Sequence, residues 1–333
     1  MGRLERIADA VLYEGYMLWP YRTSALKNQR RWTFGGVYPE RHSAGHPDDA
    51  CVMQTQCLAQ AGPGARLAVR VRFLQVIERR IGRLTENGRE PVDELVVGGE
   101  RYVPWEEATE REVLSPALAL GRESDEHVEI RVAAGEEREV LRDPAGEPAG
   151  IVTRSWGPLV GSVDVASVPL RPGLCRITVR IANRSPLGDG QDREQALKAT
   201  FCSTHTILQV EGGELVSLTD PPPELRDEAE RCENRGTWPV LAGEPGDRRT
   251  VLSSPIILPD HPEIAPESPG DLFDSGEIDQ LLTLGILSMT DEERRRMREA
   301  DPRTRRILER TESLTREELM RLHGTIRELG TAR

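Results

Sequence analysis

Aromatic residues are scarce: Phe, Trp and Tyr together make up 4% of the 333 residues, and all hydrophobic types only 37%. No run of about 18 apolar residues, the length needed to span a bilayer, occurs anywhere. The opening MGRLERIADAVLYEG carries Glu5, Asp9 and Glu14 where a secretory leader needs an unbroken apolar stretch. Cytoplasmic residence is therefore the expectation. The five cysteines, Cys51, Cys57, Cys175, Cys202 and Cys232, are an odd and scattered set without a C-x2-C pair, which argues against a disulfide framework and for reduced thiols. Gly35-Gly36, Gly98-Gly99 and Gly212-Gly213 stand outside any G-x-G-x-x-G or G-x4-G-K-S/T pattern, so neither a nucleotide cradle nor a bound cofactor is expected. A broad basic footprint is missing as well. The net charge is −12, and residues 211–280 hold seventeen Asp and Glu against five Arg, which excludes nucleic acid as a general partner.

The few aromatic residues are not evenly spread. Six of fourteen (Tyr16, Trp19, Tyr21, Trp32, Phe34 and Tyr38) fall within residues 14–41, interleaved with Arg22, Lys27, Arg30, Arg31 and Arg41. Two readings fit such a stretch. It is either a lid whose rings plug one end of the fold while arginines stack on them, or a recognition surface, because Trp, Tyr and Arg dominate interface hot spots.

Residues 4–14 place Leu4, Ile7, Ala8 and Val11 at helical spacing, predicting a short amphipathic helix. A helical turn is expected over Ser24–Arg31, and a helix over Asp48–Gln60 stopped by Gly62-Pro63-Gly64. A period of two follows. Leu67, Val69, Val71 and Phe73 alternate with Ala68, Arg70 and Arg72, and similar alternation recurs at Val128–Val132, Val163–Val165 and Cys175–Ile181. A long strand before Gly212-Gly213 is expected to turn there into a hairpin. These strands predict a mainly β (α+β) chain, an antiparallel β-sandwich or open barrel, with no βαβ alternation. Proline-rich Asp220–Pro269 is expected to run as an extended connector. Beyond it, the stripe Ile278, Leu281, Leu282 and Ile286 and the capping pairs Thr290–Glu293 and Thr315–Glu318 predict short helices. The last of them carries Leu319, Leu322, Ile326 and Leu329. The expected organisation is thus 1–63, the aromatic-basic segment with helices; 64–220, the β core; 221–270, the connector; and 271–333, a helical appendage.

Two constellations invite chemistry. His42, His46, Cys51 and Cys57 offer a ligand set that zinc or iron accepts. Their H-x3-H-x4-C-x5-C spacing lacks the tight thiolate knuckle, so the expectation is no metal, with these four residues as the alternative site. Cys202 and His205 stand three apart on a predicted strand and face opposite sides unless a bulge intervenes, which defeats a Cys-His nucleophile pair. No catalytic residue is assigned, and an enzyme is the less favoured expectation.

Three stretches carry a family resemblance: ADAVLYEGYMLWPYRTSALKNQRRWTFGGVYP (8–39), QALKATFCSTHTILQVEGGELVSLTDPPPEL (195–225) and SSPIILPDHPEIAPESPGDLFDSGEIDQLLTL (253–284). Over about Ala8–Glu309 the chain resembles an accessory-protein family encoded beside actinobacterial-type, oxygen-tolerant NiFe uptake hydrogenases. The resemblance implies an accessory or assembly factor that binds a hydrogenase subunit, its precursor or a maturation factor. The chain is not the metal-bearing subunit, since it has no C-x2-C pair. The expected partner-binding residues are Trp19, Arg22, Lys27, Arg30, Arg31 and Trp32.

Overall fold

A computed structural model describes residues 3–14, 35–86 and 88–263, and Arg294, Arg298, Arg305, Leu308, Glu309, Glu312 and Ser313 beyond them. The six expected partner-binding residues, the turn at 24–31 and the capping pairs after 270 lie outside the described residues. The chain divides into two compact units, Met1–Tyr16 with Arg31–Pro262, and Met17–Arg30 with Glu263–Arg333. In the second unit the described positions from Arg294 onward are helical; Leu308 is buried, and Arg298 Nη2 lies 2.7 Å from both carboxylate oxygens of Glu312.

The first unit is mainly antiparallel β. Its elements are α1 (Arg3–Glu14), α2 (Glu40–Ser43), β1 (Val52–Thr85), β2 (Gly88–Val92), β3 (Leu95–Val97), β4 (Glu100–Tyr102), β5 (Trp105–Leu114), β6 (Leu118–Ala119) and β7 (Ser124–Val132). There follow β8 (Gly135–Arg142), β9 (Pro148–Trp156), β10 (Leu159–Arg171), β11 (Leu174–Asn183), α3 (Arg193–Leu197) and β12 (Cys202–Leu215). A 3-10 turn (Pro223–Leu225), α4 (Arg226–Glu230), β13 (Trp238–Leu241) and β14 (Thr250–Ser254) complete it. Among the described residues twelve strands form one sheet along the path β13-β14-β12-β1-β11-β10-β7, with β3 and β4 as a separate ribbon.

The spine of this sheet is β1, 34 residues long. One edge pairs with β11 over Val52–Gln60 and then with β6, β5 and β2; the other pairs with β12 over Ala59–Leu74 and then with β9. Midway the register shifts between Ala61 and Arg66, where Gly62-Pro63-Gly64 sit. This explains two differences from the sequence expectations. Residues 52–60 are strand rather than helix, because Met53, Thr55 and Cys57 point inward while Gln54 and Gln56 do not, a period of two disguised by the inward hydroxyl. Gly212-Gly213 is not a hairpin tip: β12 runs through it, and the glycines permit close approach of the two strands. A Cβ on Gly213 would lie 2.6 Å from the Gln60 carbonyl oxygen, and one on Gly62 2.7 Å from that of Gly212.

Within the expected 221–270 connector, the described residues hold the 3-10 turn, α4, β13 and β14. All five residues of β14 are buried, and the strand pairs with β12 on one side and β13 on the other. Pro239 is accommodated because β13 is an edge strand whose outward N–H need not be donated.

Inward residues of β1 (Leu67, Val69, Val71, Phe73) meet those of β11 (Cys175, Ile177, Val179, Ile181) in one core, where the rings of Phe73 and Phe201 stack at 4.6 Å. The outward face of β1 and β12 is covered by α1: of the expected stripe Ile7, Ala8 and Val11 are fully buried and Leu4 only partly, and Leu12 is fully buried beside them. Their burial contributes roughly 5–8 kcal/mol on transfer grounds. Among the described residues no helix is long and apolar enough to cross a membrane.

Candidate functional site

The chain re-enters the described structure at Gly35, and the way it is held there defines the candidate site. The Gly35 carbonyl accepts from Thr204 N at 2.9 Å, and Val37 exchanges two backbone hydrogen bonds with Phe201. Gly35 has φ +60, and a Cβ there would lie 2.5 Å from the Pro255 ring. Asn183, 1% exposed, clips this strap: its amide nitrogen donates to the carbonyls of Val37 (2.7 Å) and Ala199 (2.8 Å), and its oxygen accepts from Ser185 N at 2.8 Å.

A polar cluster follows directly. The rings of Tyr38, His42 and His46 form a column, with centroids 5.1 and 4.1 Å apart. His42 Nε2 lies 2.8 Å from Asp49 Oδ2, and His46 Nδ1 lies 3.0 Å from the His42 carbonyl oxygen. Arg193, on α3, donates to the Tyr38 hydroxyl, stacks over its ring and stands 3.5 Å from Asp49 Oδ2. Arg41 pairs with Asp189 beside it. Burial pushes the Tyr38 hydroxyl up, only partly opposed by the Arg193 charge, so it stays protonated and acts as a hydrogen-bonding post.

The four potential metal ligands are not gathered. Cys57 lies in the main core, its thiol pushed well up by burial, and His42 is bonded to Asp49. Among the described residues no group of three or more His, Cys, Asp or Glu is placed to hold a metal ion. The bulge required for a Cys202-His205 pair does exist, at Ser203 with φ 51, where the register between β1 and β12 shifts. The two side chains nonetheless turn to different partners. Cys202 Sγ faces the carbonyls of Thr200 and Leu197, its thiol raised by burial, whereas His205 Nδ1 faces the Ser203 carbonyl at 3.3 Å.

The sequence matches no protein-family model, and a search of curated proteins finds no match.

An open groove of about 570 Å³ is lined by Arg66, Ala68, Gln209, Glu211, Asp247 and Arg249. Within it Arg249 Nε lies 3.1 Å from Asp247, leaving a wall of mixed charge rather than a cation or anion trap. Sequence reasoning missed Asp49 and Arg193, which stand far apart in the chain and meet only because α3 precedes β12 on the strap's side of the sheet. Asp49 carried a signal as half of Asp48-Asp49, but one that also marks a helix start. What this arrangement can do is hold: tyrosine, imidazole, carboxylate and guanidinium are bonded to one another, and the strap is fixed to the sheet.

Proposed function

We propose that the chain is a cytoplasmic, non-enzymatic accessory or assembly factor that binds a subunit or precursor of a NiFe hydrogenase, or a factor maturing it. Its contacts would come from the aromatic-basic segment, through Trp19, Arg22, Lys27, Arg30, Arg31 and Trp32. The observation that carries this reading is how the segment's two flanks are held. Before it, α1 is docked on β1 and β12 by four buried apolar residues and by the pairs Glu5–Arg70 and Asp9–Arg72. After it, the Gly35–Tyr38 strap is clipped by Asn183 and braced by the Tyr38–Arg193 cluster. Recognition residues flanked on both sides by backbone fixed to one sheet lose less ordering entropy on binding. The protein as partner, rather than nucleic acid, follows from the acidic balance of the chain.

The test is co-purification with a tagged hydrogenase large-subunit precursor. Arg30→Ala combined with Arg31→Ala should abolish retention of the partner while leaving the melting temperature nearly unchanged. Retention at wild-type yield in moderate salt would make the segment a lid and not a recognition surface.

A further inference from the structure

On the outward face of the sheet, Arg72 of β1 pairs in register with His205 of β12. Outward residues on this face carry α1: Leu74 and Val76 pack with Leu12, and Asp9 Oδ1 lies 2.6 Å from Arg72 Nη2. His205 is fully buried there. The charged groups around it are Arg70 and Arg72 from β1, Glu5 and Asp9 from α1, and Glu110 and Glu112 from β5. The carboxylates are directed at the two guanidiniums, and none is hydrogen-bonded to the imidazole. Among the described residues, His205 Nε2 and Arg72 Nη1 are both buried without a hydrogen-bond partner. The imidazole is thus sealed beneath α1, beside two cations, with nowhere to place a second proton.

We propose that α1 is a proton-released latch: in mildly acidic solution His205 takes up a proton only when α1 lifts away, so acid drives α1 off a sheet that itself stays folded. Two features favour a local over a global opening. Among the described residues the hold of α1 on the sheet rests on four buried apolar side chains and on the ion pairs of Glu5 with Arg70 and Arg72 and of Asp9 with Arg72, and lifting it hydrates both orphaned nitrogens. Burial, followed by the Arg72 charge, lowers the docked His205 from its ordinary 6.5 to about 3. The released form recovers the ordinary value. The released state therefore binds more protons between the two values, and each pH unit below 6.5 shifts the docking equilibrium about tenfold toward release, while above 6.5 the equilibrium is flat. Because α1 runs directly into residues 15–34, release also frees one flank of that segment.

Hydrogen exchange on the full chain between about pH 7 and 5 tests the latch, comparing protection of residues 3–14 with that of β1 and β11. Protection in α1 should fall nearly tenfold per unit below 6.5 while the strands hold theirs. His205→Gln should remove that slope. Asp9→Asn should lower α1 protection at every pH yet keep the slope, since it weakens docking without touching the sensor. Equal loss in α1 and the strands would make the event global unfolding and overturn the latch. So would a flat wild-type profile, a slope that survives in His205→Gln, or one that vanishes in Asp9→Asn.

Discussion

Asn183 offers the sharpest test of how the strap is held. Its replacement by alanine removes two donated hydrogen bonds and one accepted one from a site that is 1% exposed. The three partners do not suffer equally. The Val37 carbonyl keeps its bond from Phe201 N at 3.1 Å, whereas the Ala199 carbonyl and the Ser185 amide lose the side-chain partner that serves them. Two orphaned backbone groups at roughly 1–3 kcal/mol each give an expected loss of about 3–4 kcal/mol. In a unit of this size that lowers the melting temperature by about 10 °C. Urea and thermal unfolding followed by tryptophan fluorescence measure it. Asn183→Asp keeps the shape but turns a carboxylate oxygen toward the two carbonyls. Burial and that repulsion raise the new carboxyl's pKa in the fold above its unfolded value, so the deficit relative to wild type should be largest at neutral pH and narrow as acid protonates the group. A deficit below about 1 kcal/mol in both variants would refute the reasoning and mean that the strap is held by its backbone pairing alone.

Two other outcomes follow from packing and burial. Gly161→Ala should destabilise the fold by about 2–3 kcal/mol, because the new Cβ would sit 2.3 Å from the Ala182 carbonyl oxygen and 2.8 Å from the Phe201 ring. Trimming the ring with Phe201→Leu should not restore stability in a thermal melt, since the carbonyl remains. Native protein treated with iodoacetamide at about pH 8 should be alkylated at the partly exposed Cys51 well before Cys57 and Cys202, whose thiols are buried and pushed up. Peptide mapping that finds Cys57 or Cys202 modified as fast as Cys51 in folded protein would contradict that burial.

The strands that could be read from sequence are those whose inward positions are mostly apolar. In β11, Ile177, Val179 and Ile181 alternate with Thr178 and Arg180, and β7, β10 and the middle of β1 share that pattern. The first nine residues of β1 and the whole of β14 were hidden because their inward positions include hydroxyls. Thr55 and Ser253 are both buried and bonded to each other at 2.8 Å, and Ser253 is bonded equally closely to Thr237. The Thr55 hydroxyl faces inward onto a partner that lies some 200 residues away in the chain. The same holds for the candidate site. Asp49 and Arg193 say nothing about each other in one dimension, and Asn183 reads as a strand-end residue until the strap it clips is seen.

The length of β1 has a consequence for synthesis. Its far end is closed early, by the hairpin return of β2 and then by β5, all before residue 115. Its first twenty-odd residues depend on β11 and β12, which end only at Asn183 and Leu215. At ordinary translation rates the intervening chain takes on the order of 10 s to appear. Throughout that interval a growing chain presents Leu67, Val69 and Val71 on a strand with an unpaired edge, the kind of surface that joins other chains. Production of this protein should therefore be limited less by the stability of the finished fold than by how well β1 is shielded on the ribosome until its two late partners arrive.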